Sequence, residues 1–331
     1  MLKCESYIFK RDGKTLIYNS TDMSLELYDR DDLDFSQDLD EFILDQSVVR
    51  VDLSQPGFNR LRLHLTSRCN LGCTYCCADS NNKKDDLSIT KIKYAIDYLV
   101  SNPKGGPPDI NFFGRGEPTL AWDVMIQAID YARVCSERTG LDISFSLTSN
   151  GTWGNDRREY IVDNFDYVEI SMDGPRDIHN KYRMNVAGTG SFDTVFENVK
   201  FINDHSEIGL SLSVVVTDQS VGCMSEIASF LNNSFPRAHI HMDPVDMTGH
   251  RIGENSVNAP SVGDFLKNFM QCKVAIEESS QNISLSTSLI QMDGNRITNF
   301  CPCSGSGLVV SPSGDVGSCE RIYPNEAGAA Q

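Results

Sequence analysis

The sequence has no apolar run approaching the length of a membrane span, and its start, Met1-Leu2-Lys3-Cys4-Glu5, lacks the apolar core of a signal peptide. It is also short of positive charge: 29 Lys and Arg stand against 46 Asp and Glu, a formal net charge of −17. That deficit speaks against nucleic acid or an anionic membrane as partner and mildly for a cationic one. No internal repeat or low-complexity tract is evident. These absences leave a cytoplasmic globular chain as the expectation, and its length suggests about two domains with ample residues for a core.

Cysteine, by contrast, is plentiful. Eleven is an odd count, and in a reducing compartment it argues for metal ligation with a few spare thiols rather than a disulfide framework. Three of the eleven fall in Ser67-Arg68-Cys69-Asn70-Leu71-Gly72-Cys73-Thr74-Tyr75-Cys76. Thiolates at this C-x3-C-x2-C spacing can hold three corners of a cubane [4Fe-4S] cluster and leave the fourth iron open for chemistry. Structural zinc is the rival reading, but it takes four closed ligands from paired C-x2-4-C units, and no second pair lies nearby. Buried core thiols fit less well, because Asn70 and Gly72 mark a loop. Cys77 reads as a bystander.

From Leu61 onward, strand-like and helix-like segments alternate, the pattern of a parallel sheet or barrel with outer helices. Leu61 to Leu65 leads into the cysteine loop. Ile89, Ile92, Ile96 and Leu99 then share one helical face. Further strands are expected at 109–113, 143–147, 167–172, 210–216 and 240–245, with helices at 120–138, 157–164, 191–203 and 224–231. Barrels of this kind carry their sites at the C-terminal ends of the strands.

Three motifs occupy such ends. Gly114-Arg115-Gly116-Glu117-Pro118 closes the second strand; on its own it reads equally as a tight turn. Ser149-Asn150-Gly151 ends the third, where Asn-Gly is also an ordinary turn. After the fourth come Ser171-Met172-Asp173-Gly174-Pro175, then Ile178-His179-Asn180-Lys181-Tyr182-Arg183, then Gly190-Ser191-Phe192-Asp193.

With the cysteine run and its aromatic Tyr75, these motifs resemble the radical S-adenosylmethionine enzymes, and in particular the branch containing anaerobic sulfatase maturases and peptide maturases. The resemblance implies an α/β fold, a partial (β/α)6 TIM-type barrel, over roughly residues 60 to 320. It implies a [4Fe-4S] cluster on Cys69, Cys73 and Cys76 and S-adenosylmethionine on the open iron, cleaved by one electron to methionine and a 5′-deoxyadenosyl radical. Gly114, Gly116 and Glu117 would then bind the methionine amino group, with Arg115 departing from the usual Gly-Gly-Glu-Pro. Ser149 and Asn150 would meet the ribose hydroxyls, Ser171 the ribose, and Arg183 the methionine carboxylate. An arginine fork suits a carboxylate, though pairing with Asp or Glu is its bland alternative. His179 reads as structural.

Beyond Gly249 the composition changes. A helix is expected at 265–276, and Leu308 to Val316 reads as a β-hairpin turning at Ser313-Gly314. With Cys301, Cys303 and Cys319, this resembles the opening of a SPASM or twitch extension carrying an auxiliary iron-sulfur cluster. The later SPASM cysteines are absent, so the extension is abbreviated, completed by Cys272, or cut short by truncation; a hairpin with incidental thiols is the plain alternative. At the other end, Tyr7 to Tyr18 reads as a hairpin with an Asp-Gly turn, either a substrate-recognition segment or a cap.

The domain expectation is therefore 1–55, a hairpin segment; 56–250, the core barrel; and 251–331, a helix plus a SPASM-like region. The expected function is hydrogen abstraction from a residue of a ribosomally made peptide or protein, leaving a cross-link, an oxidised residue or an epimerised centre. A flavodoxin- or ferredoxin-type electron donor would serve it. Formylglycine formation in a sulfatase is the nearest alternative; an iron-sulfur redox sensor is the alternative from another class.

Overall fold

The structure is a computed structural model. It describes the backbone of residues 6–11, 14–19 and 24–28, and residues 58–76, 85–103, 106–245, 257–278, 284–289 and 307–317. The chain divides into two compact units, Met1–Gln55 with Thr287–Cys301, and Pro56–Ser286 with Pro302–Gln331.

The first unit contains an antiparallel sheet of β1 (Ser6–Arg11), β2 (Lys14–Asn19) and β3 (Ser24–Tyr28), in that order. Its register pairs Arg11 with Lys14 and Tyr7 with Tyr18, as the hairpin reading requires. The third strand was not expected; Leu27 pairs with Leu16 and Leu25 with Tyr18.

In the second unit, six parallel strands follow one another in sequence and in space: β4 (Arg60–Leu63), β5 (Asp109–Phe112), β6 (Ser144–Ser149), β7 (Tyr167–Ser171), β8 (Gly209–Val216) and β9 (His239–Pro244). The helices between them are α1 (Ile89–Ser101), α2 (Trp122–Thr139), α3 (Arg158–Asn164), α4 (Arg176–Tyr182), α5 (Phe192–His205) and α6 (Met224–Ser234); α7 (Val262–Glu278) follows β9. α1 starts where the Ser88 side chain caps the Lys91 N–H, and it buries Ile92, Ile96 and Leu99. α4 has only seven residues, too few for its periodicity to separate it from a loop in the sequence.

Apolar and polar residues alternate along β4, β5, β6 and β9, and this distinguishes the sheet from a doubly wound one, whose strands are apolar on both faces. On one face Leu61, Leu63, Ile110, Phe112, Leu147, Val168, Ile170, Leu212, Val214, Ile240 and Met242 are fully buried, as are the helix residues Ile92, Met125, Ile129, Val195 and Ile227. The other face is polar: Arg62, Asn111, Thr148, Glu169, Ser171, Ser213, His241 and Asp243 are partly exposed.

The sheet is open. β10 (Leu285–Ser286) joins β9, and β11 (Gly307–Val310) pairs in parallel with β4, matching Leu308 to Leu61, before β12 (Val316–Gly317) folds back on it. The expected hairpin thus exists, with Gly314 at φ 89° in its turn and its N–H bonded to Ser311 O at 2.8 Å. It extends the core sheet at the β4 edge, so nine strands run in the order β10-β9-β8-β7-β6-β5-β4-β11-β12.

Candidate active site

All six core strands point the same way, so the loops that leave them gather at one end of the sheet. The cysteine loop leaves β4 and is held by its backbone: Gly72 N–H bonds Met184 O (2.8 Å), Thr74 N–H bonds Tyr182 O (3.0 Å) and Val186 N–H bonds Asn70 O (3.1 Å). Cys69, Cys73 and Cys76 are in no disulfide and are partly exposed. Their charges act on one another, which places the three thiols in one neighbourhood. Burial pushes the Cys69 thiol up to about 11 and the Cys73 thiol up to about 12, so iron has to displace their protons on binding. Two donors already address Cys69 Sγ, the Leu71 N–H at 3.4 Å and Asn150 Nδ2 at 3.8 Å.

Gly116 lies where the turn after β5 crosses this loop. A Cβ there would stand 2.4 Å from both Thr66 O and Arg68 O, so only glycine allows the approach. The approach seats Glu117, whose N–H bonds Arg68 O at 2.8 Å. Its carboxylate is 2% exposed and takes four hydrogen bonds from neutral donors: Thr119 N–H (3.1 Å), Thr119 Oγ1 (2.7 Å), Ser149 Oγ (2.7 Å) and Asn150 N–H (2.8 Å). Burial raises its pKa against the pull of these donors. Among the described residues no cation pairs with it.

Ser149 therefore works through Glu117, and its Oγ also accepts the Gly151 N–H at 3.1 Å. Asn150 closes a ring with the cysteine loop: its Nδ2 donates to Asn70 Oδ1 (2.9 Å), Asn70 Nδ2 to Thr152 Oγ1 (2.8 Å), and Thr152 Oγ1 back to Asn150 Oδ1 (2.6 Å). Ser171 ends β7 on the polar face, opposite Ser213.

Arg183 is buried, and its fork is engaged by Asp173, Nε to Oδ2 at 3.0 Å and Nη2 to Oδ1 at 3.1 Å. The arginine therefore pairs with a carboxylate, but inside the protein and not at its surface. Asp173, in the motif after β7, binds three elements together. It also accepts the Tyr75 hydroxyl, from the cysteine loop, and the Val215 N–H (3.0 Å), from β8. The guanidinium lies 5.3 Å over the Tyr75 ring. Behind it His179 is fully buried; its Nδ1 accepts the Asp173 N–H at 3.3 Å, and Nε2 lies 2.9 Å from Ser191 Oγ. Burial lowers its pKa to about 4, so it is a neutral brace, as expected.

Cys301, Cys303 and Cys319 lie outside the described residues, as do Asp12 and Gly13. Cys272 is packed between α7 and α6, with Sγ 3.8 Å from Met224 O. No helix among the described residues is long and apolar enough to cross a membrane.

An open, parallel α/β sheet with a three-thiol loop and a buried carboxylate at its strand ends defines a cluster-dependent half-barrel enzyme class. The family model of the radical SAM superfamily matches residues 63–231, half of the chain, and the protein belongs to that superfamily. A cysteine-type anaerobic sulfatase-maturating enzyme of Clostridium novyi is 29% identical over 171 residues, 50% of this chain and 45% of that one. The chain spans about half the length of the curated relatives it matches. Among solved structures, native anSMEcpe with bound AdoMet and Cp18Cys peptide has a TM-score of 0.67 at 20% identity, covering 81% of this chain and 75% of that one. Streptococcus suis SuiB bound to precursor peptide SuiA has a TM-score of 0.60 at 13% identity, covering 82% and 62%. At such identities the likeness is one of fold.

The family uses a [4Fe-4S] cluster and S-adenosylmethionine. The donor set fits both. Three thiols on one backbone-held loop are the donor set that a cubane takes. The carboxylate of Glu117, buried among neutral donors, suits an ammonium group.

Proposed function

We propose that this chain modifies a residue of a ribosomally made peptide or protein by hydrogen abstraction. The observation that carries the reading is the partly exposed polar face of an open sheet whose first strand leads into the cysteine loop. The two solved relatives with peptides bound support it. When bound, the cluster and S-adenosylmethionine supply the chemistry, reductive cleavage to a 5′-deoxyadenosyl radical that takes hydrogen from substrate.

In this reading Cys69, Cys73 and Cys76 ligate the cluster, and Gly116 lets the Glu117 turn close on them. Glu117 takes the methionine amino group, with Ser149 holding its carboxylate in place. Asn150 and Ser171 address the ribose. Arg183, pinned by Asp173, carries its positive charge toward the methionine carboxylate. Residues 1–55 form a recognition segment, 56–250 the core, and 251–331 an auxiliary-cluster region using Cys301, Cys303 and Cys319. A flavodoxin or ferredoxin supplies electrons. The Clostridium novyi relative favours, as a second reading, formylglycine formation on a sulfatase.

The test is anaerobic turnover with S-adenosylmethionine, a reductant and candidate substrates, a co-encoded small peptide or a sulfatase segment. The proposal expects 5′-deoxyadenosine together with a mass change on the peptide. Cleavage with neither substrate changed would contradict the peptide assignment, and absence of cleavage would favour a sensor.

A further inference from the structure

We propose that Asn150 is a positioning residue that acts on the cluster through Cys69: its side-chain amide donates to the Cys69 sulfur and raises the reduction potential of the cluster held there. The inference rests on the reading that Cys69, Cys73 and Cys76 ligate the cubane.

Asn150 Nδ2 lies 3.8 Å from Cys69 Sγ. Which end of the amide faces the sulfur is fixed by its other neighbours. The Thr152 backbone N–H can only donate, and it lies 3.0 Å from the opposite end of the amide, so the atom there is Oδ1. The Thr152 hydroxyl accepts Asn70 Nδ2 at 2.8 Å and gives its own proton to the same Oδ1 at 2.6 Å. Nδ2 is left with two protons. One goes to Asn70 Oδ1 at 2.9 Å, and the other is directed at Cys69 Sγ. With both lone pairs and both protons in use, the side chain is committed to the cysteine loop, and a ribose hydroxyl would have to displace one of these bonds.

The donor is held in place by its surroundings. Its backbone N–H bonds Glu117 Oε2 at 2.8 Å, so one residue joins the buried carboxylate to a thiol of the cysteine loop. Gly151, next in the chain, takes φ 76°, and a Cβ there would stand 2.7 Å from Ile170 Cγ2, so the turn that presents Asn150 requires glycine. From α5, the fully buried Asn198 donates to Gly151 O and Trp153 O, both at 2.8 Å. The amide is thus aimed before iron arrives. Leu71 N–H, 3.4 Å from the same sulfur, is a donor from within the loop itself. Asn150 differs in coming from the end of β6, so its bond couples the loop to the sheet.

An N–H donor at a ligand sulfur favours the more negative state of a cluster, and hydrogen bonds to the sulfurs are among the terms that set its potential. A ring of side chains that only braced the loop would change how much iron the loop retains. It would leave the potential of the retained cluster where it was.

The test uses the full chain, reconstituted anaerobically without S-adenosylmethionine and titrated with dithionite while the EPR signal of the reduced cluster is followed. The signal belongs to this site if the Cys69/Cys73/Cys76 triple variant lacks it. Asn150→Leu should shift the midpoint potential to a more negative value, whereas Asn70→Ala, which opens the ring but keeps the Asn150 amide, should match the parent. A second measurement needs no variant to hold iron: in the parent, labelled with 15N in the asparagine side-chain amides alone, the reduced cluster should show a 15N hyperfine coupling by pulsed EPR. No such coupling, an unshifted midpoint in Asn150→Leu that retains the cluster, or equal shifts in Asn150→Leu and Asn70→Ala overturns the role of Asn150. A parent that takes up no cubane at this site contradicts the ligand reading instead, so the two failures are distinguishable.

Discussion

Glu117 and Asp173 show how much a single buried carboxylate organises. Replacing Glu117 by Gln keeps the shape but turns one acceptor into an NH2 facing the Asn150 N–H or the Ser149–Thr119 donors. A buried donor left unmet costs about 1–3 kcal/mol, so the unfolding free energy of Glu117→Gln, measured by chemical denaturation, should fall by that amount. Loss of the charge should also weaken S-adenosylmethionine binding by ~10-fold or more, measured by equilibrium dialysis. Asp173→Asn leaves the Arg183 guanidinium, 6% exposed, without its ion partner. Breaking a buried pair in this way costs about 3–5 kcal/mol. Asp173→Asn with Arg183→Met should recover part of the loss; a single variant as stable as the parent would show that the pair does not hold the loop. Neither role was legible from the residues alone. Asp173 stood in view within its motif, but that it joins Tyr75, Arg183 and β8 is a fact of packing between distant segments.

At the scale of elements, the turn after β5 and the cysteine loop are one construction. Gly116→Ala drives a Cβ into two backbone carbonyls that have nowhere to go, whereas Gly114→Ala meets only the His64 side chain and Cα, at 3.1 to 3.3 Å. Iron content after reconstitution should therefore collapse in Gly116→Ala and stay near the parent in Gly114→Ala; equal iron in both would separate the turn from the loop. Most core strands were legible, because β4, β5, β6 and β9 alternate an apolar helix-facing residue with a polar one. The 308–316 hairpin was legible through Ser313-Gly314. That it pairs with β4 was not, since strand order across a sheet depends on contacts between residues far apart in sequence. α4 was hidden by its shortness.

For the whole molecule, two fully buried histidines couple the fold to pH. Burial lowers His64 to about 3, with the Arg115 and Arg62 charges adding to it, and His179 to about 4. Both folded values lie below the unfolded 6.5, so the unfolded chain binds more protons as pH falls. Their contribution to stability is complete above about 6.5 and declines as pH drops toward about 4 and then about 3. Urea midpoints of the metal-free protein should fall across that window. His179→Gln, whose side-chain amide cannot take up a proton there, should flatten part of the slope, and an undiminished slope in that variant would assign the effect to other groups.

The account stands on the three thiols at the end of β4. Its most direct test compares the anaerobically reconstituted parent with Cys69→Ala/Cys73→Ala/Cys76→Ala, quantifying iron and 5′-deoxyadenosine formed from S-adenosylmethionine under a strong reductant. The parent is predicted to bind a cubane cluster and cleave the sulfonium, and the triple variant to form no 5′-deoxyadenosine, whatever iron Cys301, Cys303 and Cys319 retain. A triple variant that forms 5′-deoxyadenosine at the parent rate would contradict the assignment.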